Sequence, residues 1–552
     1  MKKYILITFF FALNIFNYVN AQTWLWAESA GGPNNFVDNA EYICTDNNGN
    51  IYVAGMITLP ICYFHTDTFT INGFNDFFLA KYDTNGNELW AKQFGGYNSI
   101  TANPIKTEDA CGLIFDANTN SVYMSGVFVG SCVFGTYTLN ANGSNDGQMF
   151  IAKFDLNGNC IWAKSGGGSG DDGFGALTVD QNGSIYVLGG TQYGATIDTI
   201  SLPPCGFIAK YDDNGSCIWA KKIFEPGTAG GQSIKIYNSD ILILGINLAD
   251  SFYVDTMLIQ TNNYKGYFVA RFDSTGNILQ VNKYIGGPSA TGHDDMSLDV
   301  NGNCYLIGSF KNGYATFNNN IDTIYSSDTT HFFLTKYDVY GNFKWVQQDS
   351  ASVAATGSDI FTDADSNTYI TGSFSGSAHF GSFDVTASAS QDMFVAKYNT
   401  TGDCLGVNTA GEAFGYGVTA DASGSCYVTG GFRNTINFGS TILTSHGGSD
   451  IFVAKSDMIT GINEKKQNTN NHLIIYANPT TGKCNITVPD DFYNEKNLTL
   501  TIFDNSGKLI QQKTLEMSEG KIKLDLEQEA KGVYNVTLSN GKKVYSGKIV
   551  FE

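Results

Sequence analysis

The segment Phe78–Lys92, with the sequence FLAKYDTNGNELWAK, recurs along most of the chain and predicts its fold. Each copy places a turn of the Asp-x-x-Gly-Asn type between two runs rich in aromatic and β-branched residues, which predicts a hairpin. The spacing of about 60 residues is typical of a repeat protein. Further copies begin at Phe150, Phe207, Phe268, Phe333 and Phe394, and a truncated copy, FVAKSD, begins at Phe452.

A second hairpin pattern precedes each copy. It is clearest at Asp46–Gly55, with the sequence DNNGNIYVAG, and is weakest at Ile241–Gly245. Two hairpins make a four-stranded unit, and radial repetition of such units gives a β-propeller. Counting either hairpin gives seven blades. The remaining copies of the second pattern begin at Asp116, Asp180, Asp299, Asp363 and Asp421.

The two ends of the repeat array complement each other. The last copy stops at Asp457 without its outer strand, whereas Leu25–Gly32 matches the outer strand Leu89–Gly96 in register. We therefore predict that the N-terminal strand completes the last blade, which would leave no open sheet edge between the first blade and the last.

Two residue types recur at fixed repeat positions. A tryptophan there is either a stacking platform for sugars or a packing residue between blades, and we expect packing because large aromatics dominate buried area. A repeated lysine is expected to lie along an aromatic neighbour with its charge reaching water or an Asp. The tryptophans are Trp26, Trp90, Trp162, Trp219 and Trp345, and the lysines are Lys81, Lys153, Lys210, Lys336, Lys397 and Lys455, with Arg271 in place of the seventh.

The complete repeat resembles the bacterial SBBP-type β-propeller repeat over residues 22–459. The resemblance is carried by D-x-x-G-N-x-Y-V-x-G, by an F-G segment such as His379-Phe380-Gly381, and by D-x-F-V-A-K-Y-D. It implies the propeller fold and brings no shared catalytic residues. About 20 residues between the hairpins of most blades, such as Ile57–Asp76, predict additional hairpins on one surface.

The segments outside the repeats predict an exported protein. Residues 1–21 have the basic, apolar and small-residue regions of a signal peptide. Residues 460–472 are polar and aperiodic, as in a linker. Residues 473–552 contain alternating segments such as Leu498–Ile502, which predict a small Ig-like β-sandwich.

The C-terminal segment resembles the type A sorting domain of the type IX secretion system. This resemblance implies a gram-negative Bacteroidota source, the secretion machinery as a partner, passage through the periplasm, and display on the outer cell surface or release. The motif residues are Asn478, Pro479, Gly482, Gly507, Lys508, Gly532 and Tyr534.

Composition excludes some partners. The net charge of −20 would repel nucleic acid and anionic lipid. Eleven cysteines include no C-x-x-C pair, and those at equivalent repeat positions, such as Cys160 and Cys217, would be too far apart to form a disulfide. The six histidines show no metal-binding spacing.

Two weak motifs have structural alternatives. A G-x-G-x-x-G at Gly168, Gly170 and Gly173 follows an outer strand, so we interpret it as a loop between blades. The stretch Asp363, Asp365 and Asn367 begins like a calcium loop but lacks its later Gly and Glu, so we predict turn residues and no cofactor, with calcium as the weaker alternative.

Two classes of function remain open. The first is a non-catalytic binding or adhesion module with a glycan or protein ligand. The second is an extracellular polysaccharide lyase or glycoside hydrolase with acidic or tyrosine side chains near the axis. The only non-repeated cluster that suggests catalysis is His293, Asp294 and Asp295, so we expect no enzyme.

Overall fold

The computed structural model describes residues 23–33, 35–71, 73–96, 109–143, 146–227, 229–247, 249, 251–260, 266–283, 295–317, 322–457, 473–476, 479–489, 492, 497–504, 508–515, 521–540 and 543–551. The chain divides into two compact units, Met1–Ile459 and Thr460–Glu552. The predicted signal peptide and linker lie outside the described residues. The regular elements are β-strands, numbered β1 to β47 along the chain, in agreement with the predicted all-β class.

The first unit is built from four-stranded blades with one blade for each sequence repeat. β1 (Thr23–Ala30) precedes them. Blade 1 contains β2 (Asn39–Thr45), β3 (Ile51–Thr58), β4 (Ile61–Tyr63), β5 (Thr68–Thr70), β6 (Asn75–Tyr82) and β7 (Glu88–Phe94). Blade 2 contains β8 (Asp109–Asp116), β9 (Ser121–Val129), β10 (Ser131–Phe134), β11 (Tyr137–Asn140), β12 (Gly147–Phe154) and β13 (Cys160–Gly168). Blade 3 contains β14 (Asp172–Val179), β15 (Ile185–Thr191), β16 (Ala195–Ile197), β17 (Ile200–Leu202), β18 (Cys205–Tyr211) and β19 (Cys217–Phe224).

The later blades repeat this order. Blade 4 contains β20 (Ala229–Tyr237), β21 (Asp240–Asn247), β22 (Ser251–Val254), β23 (Met257–Gln260), β24 (Gly266–Phe272) and β25 (Ile278–Lys283). Blade 5 contains β26 (Asp295–Leu298), β27 (Cys304–Phe317), β28 (Asp322–Tyr337) and β29 (Phe343–Gln348). Blade 6 contains β30 (Ala354–Thr362), β31 (Thr368–Ser375), β32 (Ser377–Phe380), β33 (Phe383–Thr386), β34 (Asp392–Tyr398) and β35 (Cys404–Gly411). Blade 7 contains β36 (Ala413–Ala420), β37 (Cys426–Phe432), β38 (Thr435–Phe438), β39 (Thr441–Thr444) and β40 (Asp450–Asp457).

The blades close into a ring. The innermost strands β2, β8, β14, β20, β26, β30 and β36 each contact the next, and β36 contacts β2. Blade 7 has the strand order β36-β37-β40-β1, so the N-terminal strand is its outermost strand. Ala27 pairs with Ala454 within this sheet. The predicted closure by the two ends of the array is confirmed.

The predicted additional hairpins are also present, and they join neighbouring blades. Each one lies between the second and third strands of its blade, and in the blades other than blade 5 it contacts the end of the outer strand of the preceding blade. In blade 5 the long strands β27 and β28 continue past Gly313 to form the equivalent hairpin. The inter-blade contacts are Tyr63 with Gly31, Val133 with Gly95, Ile197 with Gly166, Val254 with Phe224, Ser377 with Ser352, and Arg433 with Glu412.

This topology gives the ring two different faces. Both Asp-containing turns of a blade lie on one face, and the additional hairpins and the links between blades lie on the other, which we call the hairpin face. Gly168 ends β13 and Gly173 lies in β14, so the G-x-G-x-x-G segment is a link between blades, as predicted.

The second unit contains two sheets. β41 (Ile474–Tyr476), β42 (Lys483–Thr487) and β45 (Lys521–Asp525) form one. β43 (Leu498–Asp504), β44 (Leu509–Leu515), β46 (Gly532–Ser539) and β47 (Val544–Phe551) form the other. Side chains of both sheets, including Ile486 and Val536, share one buried core, so the predicted small sandwich is present.

Candidate functional site

The repeated tryptophans pack between blades. The indole N–H of Trp90 in blade 1 donates to the carbonyl oxygen of Leu156 in blade 2 at 3.2 Å. A Cβ added to the turn glycine Gly158 would lie 2.8 Å from the ring of Trp90. The same tryptophan–glycine contact occurs for Trp26 with Gly86, Trp162 with Gly215, Trp219 with Gly276 and Trp345 with Gly402. These tryptophans are therefore structural, as predicted.

The repeated lysines lie over tyrosine rings. The ammonium of Lys336 is 4.6 Å from the ring centre of Tyr305 and 3.8 Å from the carboxylate of Asp299, and Tyr305 also donates to Asp299 at 3.4 Å. Such cation–π contacts add attraction to the packing of the lysine stem. Lys81, Lys153, Lys210, Lys397 and Lys455 make the same contact with Tyr52, Tyr123, Tyr186, Tyr369 and Tyr427. The predicted position of the lysines is confirmed.

The weak calcium candidates are turn residues. Asp363 accepts hydrogen bonds from the backbone N–H of Asn367 at 2.8 Å and from the hydroxyl of Tyr369 at 3.1 Å. Asp46, in the equivalent turn of blade 1, accepts the corresponding bonds from Asn50 and Tyr52. Asp365 is exposed in the turn. Within the described residues, no group of three or more His, Cys, Asp or Glu side chains is arranged to hold a metal ion.

Of the weak catalytic candidates, only Asp295 is among the described residues, because His293 and Asp294 lie outside them. Asp295 begins β26, the innermost strand of blade 5. It hydrogen-bonds with Asp359 on the innermost strand of blade 6, and its Oδ1 is 4.0 Å from the ammonium of Lys235 in blade 4. The three groups form what we call the axial cluster.

The axial cluster joins four blades. Asp359 accepts a 2.7 Å hydrogen bond from the backbone N–H of Val418 in blade 7. Burial, followed by the neighbouring Asp295 carboxyl, raises the pKa of Asp359 well above its ordinary value. Asp359 therefore keeps its proton and can donate it to Asp295. The cluster thus links the innermost strands of blades 4, 5, 6 and 7.

Sequence reasoning missed Asp359 and Lys235. A signal for Asp359 existed, since Asp295 and Asp359 both stand four residues before a turn aspartate, Asp299 and Asp363 respectively. The equivalent residues elsewhere are Tyr42, Gly112, Ala176, Ser233 and Gly417. Two acids at one position of adjacent blades are therefore expected to meet near the axis.

A cleft with a volume of about 540 Å³ opens on the hairpin face between blades 3 and 4. We call it the blade 3–4 cleft. Its lining includes Leu188 and Gly190 of β15, Gly206 of β18, Phe224 of β19 and Gly230 of β20. This volume lies in the range of small-molecule sites. Sequence reasoning did not predict this cleft.

The described sorting-motif residues build turns and strands of the second unit. Gly482 has a φ of +127° and donates its N–H to Thr480 Oγ1 at 3.2 Å. Lys508 donates its backbone N–H to Asp504 at 3.0 Å. Tyr534 is buried and donates to the carbonyl oxygen of Ala530. Pro479 and Gly532 are also described, whereas Asn478 and Gly507 lie outside the described residues.

Comparison with known proteins identifies the second unit. Residues 474–552 match the family model described as secretion system C-terminal sorting domain. An uncharacterized WD repeat-containing protein of Acanthamoeba polyphaga mimivirus is 23% identical over 512 residues, covering 75% of this chain and 36% of that protein. The chain thus spans about a third of the length of that relative.

Two of the solved structures similar to the chain are the Dos1 propeller and an alpha-L-arabinanase. The Dos1 propeller has a TM-score of 0.38 at 9% identity, with 79% of this chain and 95% of that chain covered. An alpha-L-arabinanase of Penicillium chrysogenum, solved with arabinobiose, has a TM-score of 0.32 at 9% identity, with 79% and 98% covered.

The sorting-domain prediction is confirmed by the family match, so the chain is a secreted or cell-surface protein that carries a type IX sorting domain. The SBBP assignment and the Bacteroidota source stay predictions. Among the described residues, no helix is long and apolar enough to cross a membrane.

Proposed function

We propose that the propeller is a non-catalytic binding or adhesion module at the cell surface, with an extracellular glycan or protein as its ligand. The observation that carries this proposal is that the repeated aromatic and charged residues are used in packing between blades. Trp90 packs on Gly158, and Lys336 is held by Tyr305 and Asp299. The polar and aromatic side chains that differ from blade to blade are therefore concentrated on the hairpin face and near the axis.

Surface exposure supports binding through the hairpin face. Tyr193, which precedes β16, and Tyr325 on the long hairpin of blade 5 are 66% and 71% exposed. Tyrosines combine a large apolar surface with a hydrogen-bonding group and are favoured at recognition surfaces. Residues on loops held by a rigid scaffold commonly carry specificity.

The test is a binding screen of the full chain against neutral and acidic glycans and matrix proteins, with and without a chelator. The unbound fraction is assayed for cleaved products. We expect retention of at least one polymer without product formation. Product formation would contradict the non-catalytic proposal, and loss of binding with the chelator would support the calcium alternative at Asp363.

A polysaccharide lyase or glycoside hydrolase is the second candidate, favoured by the meeting of Asp295 and Asp359 near the axis. The hydrogen bond between these carboxyl groups makes them much closer than the separation of about 5 to 10 Å used by glycoside hydrolases. This geometry supports a role in joining blades. If the screen does yield products, Asp295→Asn should abolish them under the enzymatic alternative.

A further inference from the structure

The blade 3–4 cleft lies beside two facing positions of blade 3 that carry no side chain. Gly190 and Gly206 are directly paired across β15 and β18. In each of the other six blades, the residue facing from the third strand is a large apolar one. The corresponding pairs are Met56–Phe77, Val127–Met149, Ile246–Tyr267, Ser309–Phe332, Ser373–Met393 and Gly431–Ile451.

Packing does not require glycine at Gly190. A Cβ added to Gly190 would approach nothing closer than the carbonyl oxygen of Cys205 at 4.0 Å. Gly190 also lacks the positive φ that favours glycine. Gly206 differs, because a Cβ there would lie 2.7 Å from the ring of Phe224. Gly190 thus leaves open a space that a side chain could fill.

The lining of the cleft selects its ligand by charge. Asp171, Gln192 and Glu225 contribute oxygen acceptors, and the described lining residues include no Lys, Arg or His. An anionic group would therefore meet no cationic side chain in the described lining itself. Glu225 forms a 2.6 Å ion pair with Lys222, which reduces the attraction for a cation. Such a site favours a neutral ligand that supplies hydrogen-bond donors.

The apolar part of the cleft adds a second requirement. Leu188, Phe224 and Pro226 line it, and the exposed Tyr193 follows the lining residue Gln192 directly in the chain. A sugar ring presents hydroxyl donors along its edge and C–H groups on its faces, so it matches both parts of the lining. Burial raises the pKa of the Cys205 thiol to about 11, so the lining thiol stays protonated and is a poor nucleophile.

We propose that the blade 3–4 cleft binds a neutral saccharide unit of an extracellular polymer, with Tyr193 supporting the next unit at the rim. This inference rests on the proposed binding function and gives it a location and a ligand class.

The experiment uses the full chain and a panel of neutral oligosaccharides of glucose, galactose, mannose and N-acetylglucosamine. Uronate-containing and sulfated oligosaccharides and a lysine-rich peptide form the other arms. Isothermal titration with the best neutral ligand then compares wild type with Gly190→Val. Valine is the residue at this position in blade 2, Val127, so the fold should accept it.

We expect Gly190→Val to weaken binding at least tenfold without lowering the unfolding temperature. Ala229→Leu enlarges a side chain of blade 4 that lines the cleft and packs on the core between blades 3 and 4, so it should act in the same direction. Tyr193→Ala should weaken binding about threefold to tenfold. Tyr325→Ala, at a similarly exposed tyrosine, is the matched control and should leave the affinity unchanged.

The possible outcomes test the cleft as a binding site separately from the proposed binding function of the propeller. Neutral-saccharide binding that persists in folded Gly190→Val and Ala229→Leu would overturn the cleft and leave the binding function standing. Binding of only acidic oligosaccharides or the lysine-rich peptide would overturn the ligand class. Absence of saccharide binding, with capture of a matrix protein in the earlier screen, would also overturn this inference alone. If Gly190→Val fails to fold, Ala229→Leu and Tyr193→Ala decide the result.

Discussion

Trp90 of blade 1 and Gly158 of blade 2 fit together across a blade interface, with the ring occupying the space that a Cβ of residue 158 would need. Gly158 has a φ of +78°, so its conformation also favours glycine. The turn that shapes one blade therefore provides the packing surface for the preceding blade, and one repeat sequence specifies both.

Gly158→Ala should lower the free energy of unfolding by about 2 to 4 kcal/mol. About 1 kcal/mol comes from the left-handed backbone conformation, and the rest comes from displacing Trp90. Chemical denaturation followed by tryptophan fluorescence measures the change. Gly230→Ala is the control, because its Cβ has space, and it should change stability by less than about 1 kcal/mol. Equal losses in both variants would contradict the interface explanation.

Lys336→Met should cost about 1 to 2 kcal/mol. The buried Asp299 would lose its cation but keep hydrogen bonds from the backbone of Asn301 and Asn303. Lys344→Met removes the exposed ion pair with Asp338 and should cost less than about 1 kcal/mol. Urea denaturation of the two variants tests the difference, and an equal cost would show that burial of the lysine adds nothing.

Asp38 should make stability depend on pH. Burial raises its pKa to about 6, although the N–H groups of Thr58 and Gly32 donate to it. Because the folded pKa exceeds the unfolded one, the contribution of Asp38 is greatest below about pH 4 and is lost as pH rises through about 6.

The measurement compares Asp38→Asn with wild type from pH 4 to 7.5. Asparagine cannot ionise, so the variant should gain stability relative to wild type as pH rises, by at most about 3 kcal/mol. Parallel stability curves would show that Asp38 does not bind its proton more tightly in the folded state.

Asp359→Asn should preserve the axial cluster at neutral pH. The amide oxygen can accept from Val418, and the amide N–H can donate to Asp295 in place of the carboxyl proton of Asp359. Asp359→Ala would leave the backbone N–H of Val418 without this acceptor and should cost about 1 to 3 kcal/mol more. Thermal unfolding of both variants at pH 7.5 provides the comparison. A larger loss for Asp359→Asn than for Asp359→Ala would contradict donation from a protonated Asp359 to Asp295.

The sequence predicted features that repeat and failed at features that depend on one interface. The positions of Trp90 and Lys336 could be inferred because several copies limit what each residue can contact. Asp295 was identified as an exception to the repeat, but its partner Asp359 depends on which side chains cross between blades 5 and 6. The residue periodicity within one strand does not indicate which side chains of neighbouring blades contact each other.

The blade 3–4 cleft was missed for a related reason. Gly190 looks like an ordinary strand glycine until it is aligned with Gly206 on the paired strand. Alignment of the cross-strand pairs of all blades, such as Val127 with Met149, is what shows that a large side chain is absent. Strand register therefore supplied what residue order alone did not.

The pairing of β1 with β40 sets the order in which the protein can be completed. β1 is synthesised before the other strands of the ring, yet its partner Asp450–Asp457 is synthesised after all of them. Until then, the outer strand β1 has no partner in blade 7 and no cooperative ring exists. The sorting domain is the next domain after β40. The propeller therefore becomes able to close while the domain that directs its export is being synthesised.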